Sequence, residues 1–531
     1  MTEKYTIVVA TDLTDEAMAI LENADNVILK KVAPKTAIVR DSLHDADAII
    51  TRDAMRIDET MFENAPNLKV VAHVSAALSN VDIEAATLRG IMVMNTPGVS
   101  AIAAGEHTLA LMLALSRRLP TAHNSIKEGY WLLDRQRQSG VQLNGKVLGL
   151  IGFGRVGRIV AQRAIAFGMT ILAYDPYIAE DSVDDRIQLV GLRELLERSD
   201  FVSVHVPLTR ETQGLLNANA IEQMKTGARL INTAHGLIVD EQALAEALKS
   251  ERLSGVAVDV FPEEPPYNSP LIGLDSVVHT PHIGDNTIEA TQDISLRVVE
   301  QVLDALEDRD YRNVVNMPIL PGVDYEDVRP YMILAERMGH IFHVLSRTAV
   351  RRVAVEASGE DINTLIKPIT VGVLKGLLNP ILGETVSTIN APILAHERGW
   401  QVTQAKGLST EYANMVNIRV TLEDGEEITI TGTLLDRKTP YIVQINDYRM
   451  KFVPEGHLLL MGSRDKPGVI GRVGTMFAEH SINIAGWYTG RTEKGGNTLT
   501  VLTLDEPMPE TVIEALEDLD FVRHAHQVHL G

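Results

Sequence analysis

The chain has 531 residues, 45% apolar and 23% charged, with Lys+Arg 49 against Asp+Glu 71 and a net charge of −22. That length exceeds one hydrophobic core and calls for about three or four domains. The acidic balance argues against nucleic acid as a partner, and any pocket for an anion must be basic against the general field. Cysteine is absent, which removes disulfides, thiolate nucleophiles and cysteine-ligated zinc.

The opening, MTEKYTIVVATD, runs straight into a strand pattern, with no basic segment followed by an apolar stretch. Through the first 100 residues, short β-rich runs (YTIVVATD, DAIITRD, LKVVAHVS, GIMVMNT) alternate with helical stretches such as DEAMAILENA. That rhythm predicts βαβ units and a parallel sheet. A long Ala/Leu-rich helix is expected over residues 100–118, with Ser100 as its N-cap. Within it, AIAAGEHTLALMLAL is taken as the most apolar long segment. Glu106 and His107 mark it as a buried helix rather than a membrane span. The expectation is a cytoplasmic protein with no membrane partner.

Six apolar strands follow (KVLGLIG, TILAYD, FVSVHVP, GARLINT, SGVAVDV, VVHTP), separated by helical patterns. This is the rhythm of a doubly wound nucleotide-binding sheet. Residues 317–330 carry Pro and Gly and form a candidate linker. Beyond them the pattern is mixed, with a helix near YMILAERMGHIFHVLS and strands EITITGTLL and YIVQINDYRM. From residue 456 the order is β-α-β-β-α-β, the ferredoxin-like arrangement. Its last strand, FVRHAHQVHL, carries His524, His526 and His529. They lack the partners and spacing of a metal site and are expected on a solvated strand face, so no metal is assigned.

KVLGLIGFGRVGRIV sets Gly152, Gly154 and Gly157 in G-x-G-x-x-G spacing between a strand and a helix. These glycines permit a tight turn, close backbone approach to a pyrophosphate and close helix–strand packing. Asp175 ends the next strand, about 20 residues on, where an acid accepts hydrogen bonds from ribose hydroxyls and repels a 2′-phosphate. The cofactor expected is NAD. A second feature is INTAHGLIVDE, residues 231–241, where His235 stands at a strand end directly before Gly236. Ligands of α/β sheets are met at such ends.

With these motifs on the page, and with NTP at residues 95–97, HVPLT at 205–209, VDVFPEEPP at 258–266 and TPHIG at 280–284, the chain resembles the D-isomer-specific 2-hydroxyacid dehydrogenases. Within them it is similar to the long form of the phosphoglycerate dehydrogenases. The resemblance implies an α/β architecture in which a Rossmann-type cofactor domain (residues 100–285) is inserted in a flavodoxin-like substrate domain (1–99 and 286–316). An α+β intervening, allosteric-substrate-binding-like domain follows (317–453; note INAPILAHERGW), then a ferredoxin-like ACT domain (456–531; note RDKPGVIGRVG and SINIA). It implies NAD-dependent oxidation of 3-phosphoglycerate or a related D-2-hydroxy acid. His282 matches the catalytic histidine and Glu264 its carboxylate partner. Arg155, Val156, Val206, Thr233, Ala234 and Asp259 match cofactor contacts, Asp259 at the nicotinamide carboxamide. It also implies a homodimer or homotetramer, and an L-serine effector for which Asp465 and Asn483 match polar positions.

The pattern breaks at the substrate. His235 stands where the family holds a carboxylate-gripping arginine, whose planar, always-charged fork an imidazole does not reproduce. The family's Arg-x-Gly-x-Gly loop reads HVSAALSN here, with His73, Ser75 and Ala77 at its key positions, and GDN follows the catalytic histidine. Arg52 keeps the family's basic position, and Arg56 and Arg135 are further candidates for a phosphate. Two functions therefore stay open on the sequence: a dehydrogenase with altered anchoring, and a weakly catalytic NAD-binding sensor.

Overall fold

The computed structural model describes residues 4–52, 55–75, 78, 80–131, 139–179, 182–317, 323–346, 348–359, 362–407, 412–436 and 438–531. These fall into two compact units: residues 13–20 with 96–297, and the remainder.

The first unit holds a seven-stranded sheet built from β6 (Val147–Ile151), β7 (Thr170–Tyr174), β8 (Ile187–Leu189), β9 (Phe201–Val204), β10 (Ala228–Asn232), β11 (Leu253–Val258) and β12 (Val277–His279). Every pairing is parallel and the order is β12-β11-β10-β9-β6-β7-β8. Parallel strands covered on both faces read as continuous apolar runs, and here alternate residues feed two cores. Leu148, Leu150, Ile171 and Ala173 pack under the helices Ala101–Arg117 and Arg155–Ala166. Ile151, Leu172, Val202 and Val204 pack on the other face against Leu195 and Leu244. The sequence pattern shows six of these strands; β8, three residues with half-exposed Ile187 and Leu189, is too short and polar to register. Ser100 precedes the helix Ala101–Arg117, but its side chain makes no capping hydrogen bond, so that expectation is corrected.

The second unit begins with β1 (Tyr5–Val9), β2 (Val27–Lys31), β3 (Ala48–Thr51), β4 (Val70–His73) and β5 (Met92–Met94), all parallel, in the flavodoxin-like order β2-β1-β3-β4-β5. The edge strand β2 ends in two lysines, which hid it in the sequence. After residue 297 the chain returns to this sheet. Val314 bridges Met94, Asn316 Oδ1 accepts from Val93 N at 3.0 Å, and Gln301 Nε2 donates to Asn95 O at 3.1 Å.

A six-stranded sheet follows: β13 (Val350–Ser358), β14 (Gln401–Gly407), β15 (Met415–Leu422), β16 (Glu427–Leu435), β17 (Thr439–Ile445) and β18 (Tyr448–Phe452). Its order is β14-β13-β15-β16-β17-β18. YIVQINDYRM is thus two strands, because Asn446 turns in the left-handed region (φ 47°). The linker expected over 317–330 is shorter than that: the helix Tyr325–Leu345 begins inside it, capped by Asp324, and contains Pro330. This helix crosses Ile366–Leu382 through small residues, and a Cβ on Gly376 would fall 2.0 Å from Glu336 O. The segment Asn363–Leu382, rather than the helix at residue 101, is long and apolar enough to cross a membrane, and 67% of it is buried in this domain core.

The chain closes with β19 (Gly456–Arg464), β20 (Ile484–Arg491), β21 (Asn497–Leu504) and β22 (Val522–Leu530), antiparallel in the order β20-β21-β19-β22. The helices Val469–Glu479 and Glu510–Glu517 cover one face of this sheet.

Candidate active site

The site residues expected of the cofactor domain lie beyond the carboxyl ends of strands in the seven-stranded sheet, on the loops that leave them or in the first turn of the helix Arg155–Ala166. The strand order reverses between β6 and β9, the place where open α/β sheets bind ligands. At that point β6 runs into the glycine turn. Gly152 has φ 93°, and a Cβ there would strike His205 O at 2.6 Å, so only glycine lets the turn cross β9. A Cβ on Gly157 would lie 2.4 Å from Gly152 O, whereas one on Gly154 would meet nothing within 4 Å. Gly152 and Gly157 therefore serve the fold, and Gly154 lines open space.

Gly154 is also the N-cap of the helix Arg155–Ala166 and supplies no side chain to its first N–H groups. These donors, with the positive end of the helix dipole, suit a pyrophosphate. Asp175, just past β7, accepts from Phe153 N at 2.9 Å and from Tyr177 N at 3.0 Å, tying the glycine turn to the next strand. The Arg155 side chain turns away to donate to Pro97 O at 2.6 Å, and Val156 follows it in the first helical turn. Val206 leaves β9 beside Gly152. These residues fit a dinucleotide.

Three adjacent strands carry the remainder. Past β10, Thr233 Oγ1 lies 2.8 Å from Thr108 Oγ1, and Asn232 fixes the turn by accepting from Ala234 N (3.1 Å) and donating to His235 O (3.0 Å). His235 is exposed in extended backbone, φ −155°. The next residue, Gly236, is where this loop meets the one past β11: a Cβ there would be 2.0 Å from Phe261 C. On that second loop Glu264 accepts from Phe261 N at 3.1 Å through Oε1, and its Oε2 lies 2.8 Å from His282 Nδ1.

His282, past β12, has φ 52°, a left-handed conformation that a side chain rarely adopts. Asp259 holds it there. Its carbonyl accepts from His282 N (2.9 Å), Oδ1 from Ile283 N (2.9 Å) and Thr280 Oγ1 (2.5 Å), and Oδ2 from Gly284 N (2.8 Å). His107 Nε2 adds a contact at 3.2 Å to Oδ1 and one at 3.1 Å to Thr280 Oγ1. Burial pushes the Asp259 carboxyl up, but the donors, His107 and Thr280 foremost, outweigh it and bring the pKa down to about 2. The side chain expected to contact nicotinamide is 1% exposed and engaged in holding the His282 loop.

Burial lowers the pKa of His282, yet the hydrogen bond and charge of Glu264, with the charges of Asp259 and Asp285, raise it overall. The imidazole remains half-exposed. No motif of the sequence marks His107 for this site, although Ala103 and Leu111, four residues away on either side, are buried and set it on the inner face of its helix. His205 is likewise unmarked as a site residue in the sequence. Burial lowers it to about 4, which leaves it neutral, with Nε2 2.9 Å from Ser203 Oγ.

The substrate-domain expectations fare unevenly. His73 ends β4 with no exposed surface, so it belongs to the interior rather than to a ligand-facing loop. Ser75 is half-buried and Arg52 exposed, while Arg56 lies 3.6 Å from Asp58. Arg135 and Ala77 lie outside the described residues. In the last domain Asp465 Oδ2 accepts from Arg491 Nη1 and Gly495 N, both at 3.0 Å, and Asn483 Nδ2 donates to Asp505 at 2.6 Å. These residues stand at opposite ends of β20. The structure does not bring them together within one chain.

Residues 109–284 match the model of the D-isomer specific 2-hydroxyacid dehydrogenase NAD-binding domain, 327–446 the D-3-phosphoglycerate dehydrogenase intervening domain, and 457–521 the ACT domain. A protein of Methanocaldococcus jannaschii named D-3-phosphoglycerate dehydrogenase is 38% identical over 527 residues, 99% of each chain. One of Archaeoglobus fulgidus with the same name is 38% identical over 530 residues, covering 99% of this chain and 100% of its own. The solved D-lactate dehydrogenase of Aquifex aeolicus, complexed with NAD and lactic acid, superposes with a TM-score of 0.51 at 29% identity, covering 57% of this chain and 96% of its own. The chain belongs to the D-isomer-specific 2-hydroxyacid dehydrogenase family, in the long form that carries intervening and ACT domains.

Proposed function

We propose that this NAD-dependent dehydrogenase oxidises D-3-phosphoglycerate to 3-phosphooxypyruvate, the reaction that opens L-serine synthesis. The end-to-end similarity to proteins of that name supports the reading, and the contact between His282 Nδ1 and Glu264 Oε2 carries its chemistry. A carboxylate only accepts, so Nδ1 bears the proton and Nε2 presents its lone pair to the substrate. His282 Nε2 takes the C2 hydroxyl proton as general base, and Glu264 stabilises the imidazolium that results. NAD, when bound, accepts the hydride from C2. Gly154 and the helix N–H groups behind it hold the pyrophosphate, Asp175 the ribose, and Val206, Thr233 and Ala234 wall the nicotinamide end. His235 takes the substrate carboxylate through an imidazole N–H, and Arg52 is the residue assigned to the phosphate. A catalytically idle sensor is not favoured, because the acid–base pair and the cofactor loop are both in place.

The ACT domain adds control by an amino acid, which we take to be L-serine. Asp465 of one copy and Asn483 of another supply a site that one chain does not close, so a homodimer or homotetramer belongs to the same proposal, as does a cytoplasmic location. The test is NADH formation by purified protein with D-3-phosphoglycerate and a panel of unphosphorylated 2-hydroxy acids, with and without L-serine. Turnover of phosphoglycerate, lost in His282→Ala, is expected. NAD binding without turnover of any of these acids refutes the assignment.

A further inference from the structure

The helix Ala101–Arg117 is fixed toward both of its ends. A Cβ on Gly105 would fall 2.5 Å from Ile159 Cγ2 of the helix Arg155–Ala166, and one on Gly255 of β11 would fall 2.8 Å from Leu115 Cδ1. Between these close approaches, Leu109 and Met112 enter the same core as Leu148 and Ile171. Interiors packed in this way transmit strain rather than absorb it, so the helix is a rigid platform for whatever its side chains hold. Two neighbouring residues, His107 and Thr108, point about 100° apart around its axis. They reach two different parts of the site.

His107 meets the loops past β11 and β12. Its side chain is 16% exposed, with Nε2 3.2 Å from Asp259 Oδ1 and 3.1 Å from Thr280 Oγ1. The Asp259 carboxylate only accepts, and the Thr280 hydroxyl gives its one proton to Asp259 Oδ1. His107 Nε2 therefore carries a proton and donates. With Thr280, Ile283 N and Gly284 N it fills the Asp259 carboxylate, which has about four lone-pair sites. Gly284 lets the His282 loop close on the ring: a Cβ there would lie 2.9 Å from Asp259 Oδ2 and 3.7 Å from His107 Cδ2. Thr108, with no exposed surface, meets the loop past β10. Its hydroxyl donates to Ala104 O at 2.8 Å, so in the 2.8 Å contact with Thr233 Oγ1 it accepts. Thr233 lies in the turn where Asn232 holds Ala234 N and His235 O.

We propose that His107 and Thr108 are positioning residues of the dehydrogenase reaction, His107 setting the His282 loop through Asp259 and Thr280, and Thr108 setting the His235 loop through Thr233. One rigid helix thereby keeps the group that takes the hydroxyl proton in register with the group that takes the carboxylate. The inference rests on the roles given to His282 and His235 above. A displacement of about 1 Å at a reacting group costs up to about 10²-fold in rate, so the two contacts act on different kinetic constants.

The test pairs NADH formation from D-3-phosphoglycerate with hydrogen–deuterium exchange of the unliganded full-length protein. His107→Leu should lower kcat about tenfold to a hundredfold with KM nearly constant, and should speed exchange in peptides covering residues 280–287. His107→Gln, whose amide reaches the place of Nε2 and keeps a donor there, should restore most of kcat. Thr280→Val, which removes the hydroxyl shared by His107 and Asp259, should reproduce His107→Leu. Thr108→Val should instead raise the KM for phosphoglycerate about tenfold with kcat nearly constant, and speed exchange over 233–238; Thr108→Ser should restore it. Equal losses of kcat and Tm in His107→Leu and His107→Gln would reveal a packing role and overturn the proposal. Unchanged kinetics and exchange in His107→Leu and Thr108→Val would overturn it as well. The exchange measurement uses no substrate, so loosened loops in a protein that turns over no phosphoglycerate would refute the substrate assignment and leave the positioning role standing.

Discussion

The loop that sets His282 in its left-handed conformation donates four hydrogen bonds to Asp259, three to the carboxylate from Thr280, Ile283 and Gly284 and one to the carbonyl from His282 N. Backbone strain of this kind costs about 1–3 kcal/mol and persists only where the surroundings impose it. Removing the imidazole in His282→Ala should lower kcat by about 10²- to 10⁴-fold while leaving NAD binding intact; a cofactor titration beside the rate assay separates the two. Glu264→Gln removes the main influence raising the His282 pKa. Oxidation needs the neutral imidazole, so the acidic limb of its pH–rate profile should move to lower pH. A limb that stays in place or moves upward would detach Glu264 from His282. His235 offers the substrate carboxylate at most two donors, so His235→Arg, whose planar fork can grip both oxygens, should lower the KM for phosphoglycerate and raise kcat/KM about tenfold or more; an unchanged KM would detach His235 from the carboxylate.

At the scale of the element, the glycine turn divides its labour. Gly157→Ala drives a Cβ into Gly152 O and should separate the helix Arg155–Ala166 from β6, lowering Tm along with NAD affinity. Gly154→Ala meets no protein atom, so Tm should hold while the Kd for NAD rises about tenfold. Equal losses of Tm in the two variants would show that Gly154 is a packing residue. The loop past β12 is likewise a unit with Asp259. Folding brings that carboxyl from 3.8 to about 2, a contribution of about 2 kcal/mol. A depressed carboxyl pKa contributes its stability above the unfolded value, and the contribution is lost as pH falls from near 4 to about 2. Asp259→Asn should therefore flatten the acid limb of the stability curve in that window, read from urea midpoints against pH.

For the whole molecule, the decisive placement is that of Asp465 and Asn483 at opposite ends of β20. A serine site using both needs two chains. Asp465→Ala and Asn483→Ala should each abolish serine inhibition in homo-oligomers, while a mixed assembly of the two variants should recover it in part, because one junction then pairs intact halves. Failure of the mixed assembly to regain inhibition, with both variants still oligomeric, would place the effector elsewhere.

Much of this was legible in the chain because it rests on local pattern. G-x-G-x-x-G between strand and helix, Asp175 past the next strand, and His282 and Glu264 in their motifs all emerge from short spacings. So does the β-α-β-β-α-β order of the last domain, where alternation is regular and turns are marked. The edge strands β2 and β8 escaped because a short strand covered on one side needs little apolar surface. The burial of His73 and the role of His107 on Asp259 were not legible, nor was the division of the last strand's histidines, where His524 and His526 are half-buried opposite Gly462 and Leu460 and His529 is exposed, rather than one solvated row. Each depends on which distant segment packs against the residue, and a sequence window holds no information on that. The sequence by itself determined the domain order, the cofactor loop and the acid–base pair. Tertiary structure alone decided which imidazoles are interior and which are offered to ligands, because burial is a property of surfaces brought together by folding.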